Sequence, residues 1–204
     1  DLSSNIHRLL LEKNRQNKST YELIKLNGMI SIRAKRSHDL VAHLAKVVAG
    51  QQLSTKAADS IWKKIETLLE ENNCSIEELF LAKSAALQTS SGLSRNKVKA
   101  ISGMVEVFES GQISKQMLFK KNYDDLVECI TSLWGFGKWS ADMVAMSFFA
   151  HKDVWPDGDL AIRKGIETLS GGNEKTKKSI LSASAPYRSY LARHIWKGFN
   201  RGLL

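Results

Sequence analysis

Two cysteines and two prolines are all that this 204-residue chain contains of either type. Cys74 and Cys129 stand far apart, each without a second cysteine nearby. That spacing excludes zinc fingers, zinc ribbons and four-thiolate iron–sulfur clusters. It fits two reduced, buried thiols in an intracellular setting. Pro156 and Pro186 both fall late and read as helix boundaries. Long apolar runs are missing: the longest, around Met143 to Ala150, is far too short to span a bilayer. The opening residues, from Asp1, carry no secretory-leader pattern. Strand patterning is scarce, and only Met29 to Arg33 reads as a short extended piece. Acidic residues are also in deficit. Against 30 Lys and Arg stand 21 Asp and Glu, a net charge of +9. An excess of that size favours a polyanionic partner: DNA, RNA or an anionic membrane surface.

Apolar residues make up 43% of the chain, enough for a core and too many for global disorder. Their spacing is helical. Val41, Leu44, Ala45, Val48 and Ala49 make one face. Ala57, Ala58, Ile61, Ile65, Leu68 and Leu69 make a second, with Ser54 as its N-cap. Ser75 with Glu77 and Glu78 reads as another helix start. Ser94 precedes a helix carrying Val98, Ile101, Val105 and Phe108 and closed near Gly111. Further helices are expected over Asp124 to Ser132, after Gly137, from Asp159 to Gly171, and from about Pro186 to Phe199. The fold class is therefore all-α, without internal repeats or a long linker.

The stretch Leu133-Trp134-Gly135-Phe136-Gly137-Lys138-Trp139-Ser140-Ala141 joins two of these helices. Two glycines two apart permit a tight turn with positive φ. The helix beginning after Gly137 has first N–H groups without intrahelical partners and a partial positive charge. Glycine lets a phosphate approach that backbone, and Lys138 adds a full charge. A plain helix–turn–helix corner would look the same in sequence.

This stretch resembles the DNA-binding helix-hairpin-helix of the endonuclease III superfamily of DNA glycosylases. The resemblance covers roughly Ser37 to Arg201. Gly50-Gln51-Gln52-Leu53-Ser54, Gly92-Leu93-Ser94-Arg95-Asn96-Lys97, Pro156-Asp157-Gly158-Asp159-Leu160-Ala161-Ile162 and Pro186-Tyr187-Arg188-Ser189 are similar, in order, to blocks of the bacterial and yeast 3-methyladenine DNA glycosylases. The resemblance implies a two-lobed helical glycosylase fold with a cleft between lobes. One lobe would be residues 41–149, with the hairpin; the other would be 1–40 plus 150–204. It places Asp159 at the catalytic position, where a carboxylate stabilises the oxocarbenium-like charge that builds as an N-glycosidic bond breaks. The rival role for Asp159 is to cap its helix, and both roles are compatible.

Family members with lyase activity carry a nucleophilic lysine two residues after the second hairpin glycine. Trp139 stands there, and an indole cannot form a Schiff base. The expected site is thus monofunctional, with Trp139 and Met143 lining a pocket for a flipped base. Gln52, Leu53 and Ser54 match the wedge that fills the gap left by flipping. Ser94 and Lys97 resemble a second phosphate contact. Leu133, Gly135, Gly137, Lys138 and Ser140 supply the hairpin contact. The resemblance also implies that carbonyls of Leu133 and Gly135 can hold a monovalent cation. No cofactor and no iron–sulfur cluster are expected. The expected partner is double-stranded DNA with an alkylated base or an abasic site, bound by a monomer in the nucleus or, in a bacterium, at the nucleoid. No membrane association is expected. The alternative is a non-excising protein that recognises abasic or damaged DNA on the same fold, favoured by the short Ser54 and the weakly stacking Met143.

Overall fold

A computed structural model describes residues 2–82 and 86–204. Its helices are α1 (Leu2–Lys13), α2 (Lys18–Asn27), α3 (Leu40–Gly50), α4 (Thr55–Asn72), α5 (Ile76–Leu81), α6 (Ala86–Ser91), α7 (Arg95–Glu109), α8 (Lys115–Leu118), α9 (Tyr123–Thr131), α10 (Lys138–Ser147), α11 (Leu160–Ser170), α12 (Glu174–Ser184) and α13 (Arg188–Asn200). No strand occurs among the described residues. Met29 to Arg33 is neither helix nor strand, since an extended piece with no second strand has nothing to pair with. No described helix is long and apolar enough to cross a membrane.

The chain divides into two compact units, Asp1–Ala34 with Ala145–Leu204, and Lys35–Val144. The seams thus fall at 34/35 and, inside α10, at 144/145; the sequence-based division had set them at 40/41 and 149/150.

In the 35–144 unit, α3 is central. Leu40, Val41, Leu44, Ala45, Val48 and Ala49 are buried, against α4, α5 and α7. Asp39 starts α3 by accepting from the N–H groups of Val41 and Ala42. Ser54 caps α4 through the N–H of Ala57, and Ser75 with Glu78 forms a reciprocal capping box on α5. In α7 the buried set is Ala100, Ile101, Ser102, Met104 and Val105. Val98 and Phe108, expected on the inner face, are only half-buried. α7 is flanked by α3, α5 and α6, so its buried surface is broader than one stripe, and Ser102 is satisfied by the carbonyl of Phe80 at 3.0 Å. Cys74 and Cys129 are free and half-buried rather than fully buried.

In the other unit, α13 packs against α2, α11 and α12, and α1 lies on α2 and α12. Ile6, Leu10, Ile24, Ile32 and Tyr190 form one buried cluster. Gly165 of α11 sits so close to Ile195 of α13 that a Cβ there would collide with it. That contact brings α11 and its start, Asp159, hard against α13.

Candidate nucleic-acid interface and catalytic carboxylate

The hairpin consists of α9, the turn 132–137 and α10. Leu133 and Phe136 are buried and anchor the turn from below. Gly135 has φ of +84°, and a Cβ there would stand 2.6 Å from the Cβ of Ala100 on α7. Both backbone conformation and close approach therefore demand glycine at 135. Gly137 differs: its φ is not positive, and a Cβ would meet no protein atom within 4 Å. The positive φ expected of the turn is thus used at Gly135 alone. Gly137 leaves open space at the amino end of α10, where a phosphate would approach.

Side chains brace this turn from behind. Gln51 donates from Nε2 to the carbonyl of Gly135 (2.9 Å) and to the hydroxyl of Ser140 (2.9 Å). Ser140, expected at the DNA contact, is buried, so its hydroxyl serves the brace. The carbonyl of Leu133 accepts from the N–H of Phe136 at 3.1 Å. Each of the two carbonyls expected to hold a monovalent cation thus accepts one protein donor, which leaves a second lone pair on each oxygen. Asp142, 1% exposed, accepts from the Tyr123 hydroxyl (2.5 Å) and from the Lys138 ammonium (2.8 Å). Burial and the bond to Asp142 push the Tyr123 phenol up to about 12. Burial works against the Lys138 ammonium, but Asp142 outweighs it and holds this lysine above its ordinary value. The Lys138 side chain remains 55% exposed, so its charge is tethered at the hairpin yet open to solvent.

The wedge segment follows α3. Gln52 adopts φ of +59°, a left-handed conformation that costs a non-glycine residue about 1 kcal/mol. Leu53 is 39% exposed and does not enter the core. Ser54 spends its hydroxyl on capping α4. Ser94 is exposed and caps α7. The Lys97 ammonium, expected at a phosphate, donates to the carbonyls of Ala49 (2.8 Å) and Gln51 (2.9 Å). It holds the carboxyl end of α3 and the start of the wedge, and burial lowers its pKa. Trp139 and Met143, one turn apart on α10, are both half-buried and share a face.

Asp159 lies in the other unit. It caps α11, its Oδ1 accepting from the N–H of Ile162 (3.0 Å) and from the indole Nε1 of Trp196 on α13 (3.2 Å). The cap thus leaves Asp159 a half-buried carboxylate held by two donors on one oxygen. Asp157, its sequence neighbour, is exposed. The loop before Asp159 is tied down by Arg188, whose Nε and Nη2 bind the two oxygens of Asp153 at 2.7 and 2.6 Å, and by Ser189, which donates to the carbonyl of His151 and accepts from the N–H of Val154. The Arg188 guanidinium holds the Asp153 carboxyl below the usual carboxylate range.

Sequence reasoning gave Gln51 no role despite its place in a family-like block, and it missed Tyr123, Asp142 and Trp196, which carry no local signal. It also passed over Trp134, 51% exposed in the hairpin turn with the Lys99 ammonium 4.3 Å from its ring centroid. A tryptophan between a buried leucine and a turn glycine was the available sign. Among the described residues no three His, Cys, Asp or Glu side chains converge as a metal set.

The chain is 28% identical over 183 residues to DNA-3-methyladenine glycosylase 1 of Schizosaccharomyces pombe, covering 86% of this chain and 79% of that one. It is 30% identical over 105 residues to a Bacillus subtilis DNA-3-methyladenine glycosylase, half of this chain and 35% of that one. The solved structure of the Schizosaccharomyces pombe 3-methyladenine DNA glycosylase in complex with abasic DNA superposes with a TM-score of 0.74 at 28% identity, over 88% of this chain and 90% of the other. The family model of the HhH-GPD superfamily base excision DNA repair proteins matches residues 45–186, and the chain belongs to that superfamily.

Proposed function

We propose that this protein is a monofunctional DNA glycosylase that flips alkylated purines out of duplex DNA and hydrolyses their N-glycosidic bond. The observation that carries the reading is Asp159, a carboxylate locked by Ile162 N–H and Trp196 Nε1 at the start of α11. Such a group stabilises positive charge developing on the deoxyribose and orients the attacking water. An alkylated purine already carries positive charge and leaves readily, so no strong general acid is required. Trp139 stands where a lyase has its lysine, which leaves hydrolysis as the outcome. Trp139 and Met143 offer the flipped base an aromatic and a thioether surface. Gly137 and the tethered Lys138 take a backbone phosphate, and exposed Leu53 with strained Gln52 fills the vacated stack. The reaction uses water and calls on no cofactor, and the protein acts as a monomer wherever the cell keeps its DNA.

A specific observation supports a second reading, that of a lesion-binding protein with little excision. Ser54 is committed to capping α4 and adds little bulk to the wedge. Single-turnover base release from a duplex with an alkylated purine separates the two. The parent protein should release the base, and Asp159→Asn should lose at least about 100-fold in rate while still binding an abasic duplex. Equal rates in parent and variant would remove Asp159 from the chemistry. Tight abasic binding without release from the parent would establish the second reading.

A further inference from the structure

Arg36, Lys115, Gln116, Phe119 and Lys120 line a cavity of about 410 Å³ in the 35–144 unit. Its size is that of pockets that hold small molecules. Three of its five lining side chains are cations and none is an acid. The Arg36 guanidinium lies over the Phe119 ring, 4.6 Å from its centroid. The Lys115 ammonium donates to the carbonyl of His38 at 2.7 Å, which fixes its stem. The one acid between residues 33 and 43, Asp39, is committed to capping α3.

The cavity lies at the other end of α3 from the hairpin turn, with Lys120 three residues before the start of α9. Gln51, just past the carboxyl end of α3, bonds to Gly135; His38, just before the amino end, bonds to Lys115. Eleven helical residues between them span about 16 Å. α7 runs antiparallel to α3. Its first turn bonds the carbonyl of Ala49 through Lys97, and its far end leads through Ile113 to Lys115.

We infer that this cavity is a second binding site, distinct from the phosphate cradle at the hairpin turn, for a nucleoside phosphate. The ammonium groups of Lys115 and Lys120 and the Gln116 amide take the phosphate oxygens. The outer face of the Arg36 guanidinium, backed by Phe119, takes the base by stacking. A concave pocket of this size suits one nucleotide better than a duplex, whose phosphates are strung along a broad convex surface. A free mononucleotide and an unpaired nucleotide within a DNA strand present the same chemistry.

The test is an NMR titration of the full chain with deoxyadenosine 5′-monophosphate, inorganic phosphate and a single-stranded oligodeoxynucleotide. Saturable shifts are expected at residues 36–38 and 115–120, and Arg36→Gln or Lys120→Gln should weaken binding at least about tenfold. Both residues are exposed, so their thermal unfolding should match the parent's. Gly137→Asp should leave this binding unchanged, which keeps the result separate from the fate of the glycosylase reading. Mononucleotide binding identifies the free nucleotide as sufficient; shifts with the oligodeoxynucleotide alone identify the strand as the source. The inference is overturned by no saturable shift with any probe, by inorganic phosphate binding as tightly as the mononucleotide, or by loss of the shifts at residues 36–38 and 115–120 in Gly137→Asp.

Discussion

Helix α10 begins behind Gly137, and α11 begins behind Asp159. One amino terminus is left open, so the helix dipole faces outward; the other is closed by a carboxylate that also accepts from Trp196. At the hairpin the groups proposed to work are backbone, and side chains such as Gln51, Ser140, Tyr123 and Asp142 stand behind them as braces. At the α11 start the group proposed to work is itself a side chain, held by a backbone N–H and an indole. Substitutions should therefore act through shape at the first site and through charge and orientation at the second.

The largest effect is expected inside the hairpin. Gly135→Val forces a branched residue to φ of +84° and drives its Cβ toward Ala100. Strain and overpacking together should destabilise the 35–144 unit by about 3 kcal/mol, read as a lower denaturation midpoint. Gly137→Asp, two residues on, should leave that midpoint within about 0.5 kcal/mol while weakening duplex DNA at least about tenfold. Were the two variants to lose stability equally, the distinction between a glycine the fold needs and one the ligand needs would fail. At the other site, Trp196→Phe removes the indole bond to Oδ1 and should slow base release about tenfold without changing abasic-DNA binding. A parallel loss of binding would mean that Trp196 shapes the surface rather than orienting Asp159.

The smallest effect compares the two units through buried His194 and half-buried His43. Burial, with His7 and Lys197 nearby, lowers His194 to about 3, and burial with its basic neighbours lowers His43 to about 4. Below the ordinary value of 6.5 the unfolded chain binds protons that the folded chain refuses, so stability falls as pH drops from about 6.5 towards 4. His194→Gln and His43→Gln should each flatten the thermal midpoint against pH over that range. Curves parallel to the parent's would show that neither histidine contributes.

Capping residues were the most legible part of the fold. Ser54, Ser75, Ser94 and Asp159 all start the helices their sequence context announces, because an N-cap depends on three or four consecutive residues. α1, α2, α6, α8 and α12 went unread. α12 buries only Ile180 and Ser184, too thin a stripe to register as a period. In the candidate site the glycines, Lys138 and Asp159 were visible as a motif. Lys97 was visible but assigned outward, and its ammonium turns in to the carbonyls of Ala49 and Gln51.

By itself the sequence determined the helical class, the excess of positive charge, the hairpin register and the aspartate at the start of α11. Each of these rests on residue type or on spacing within a few positions, where local sterics and hydrogen bonding are sufficient. Tertiary structure alone decided that Gly135 must approach Ala100, that Gln51 reaches Gly135 across 84 residues, that Asp142 tethers Lys138 through a buried network, and that Trp196 grips Asp159 across 37. Those contacts join residues distant in sequence. Their partners are chosen by which helices pack, and a chain read one residue at a time carries no record of that choice.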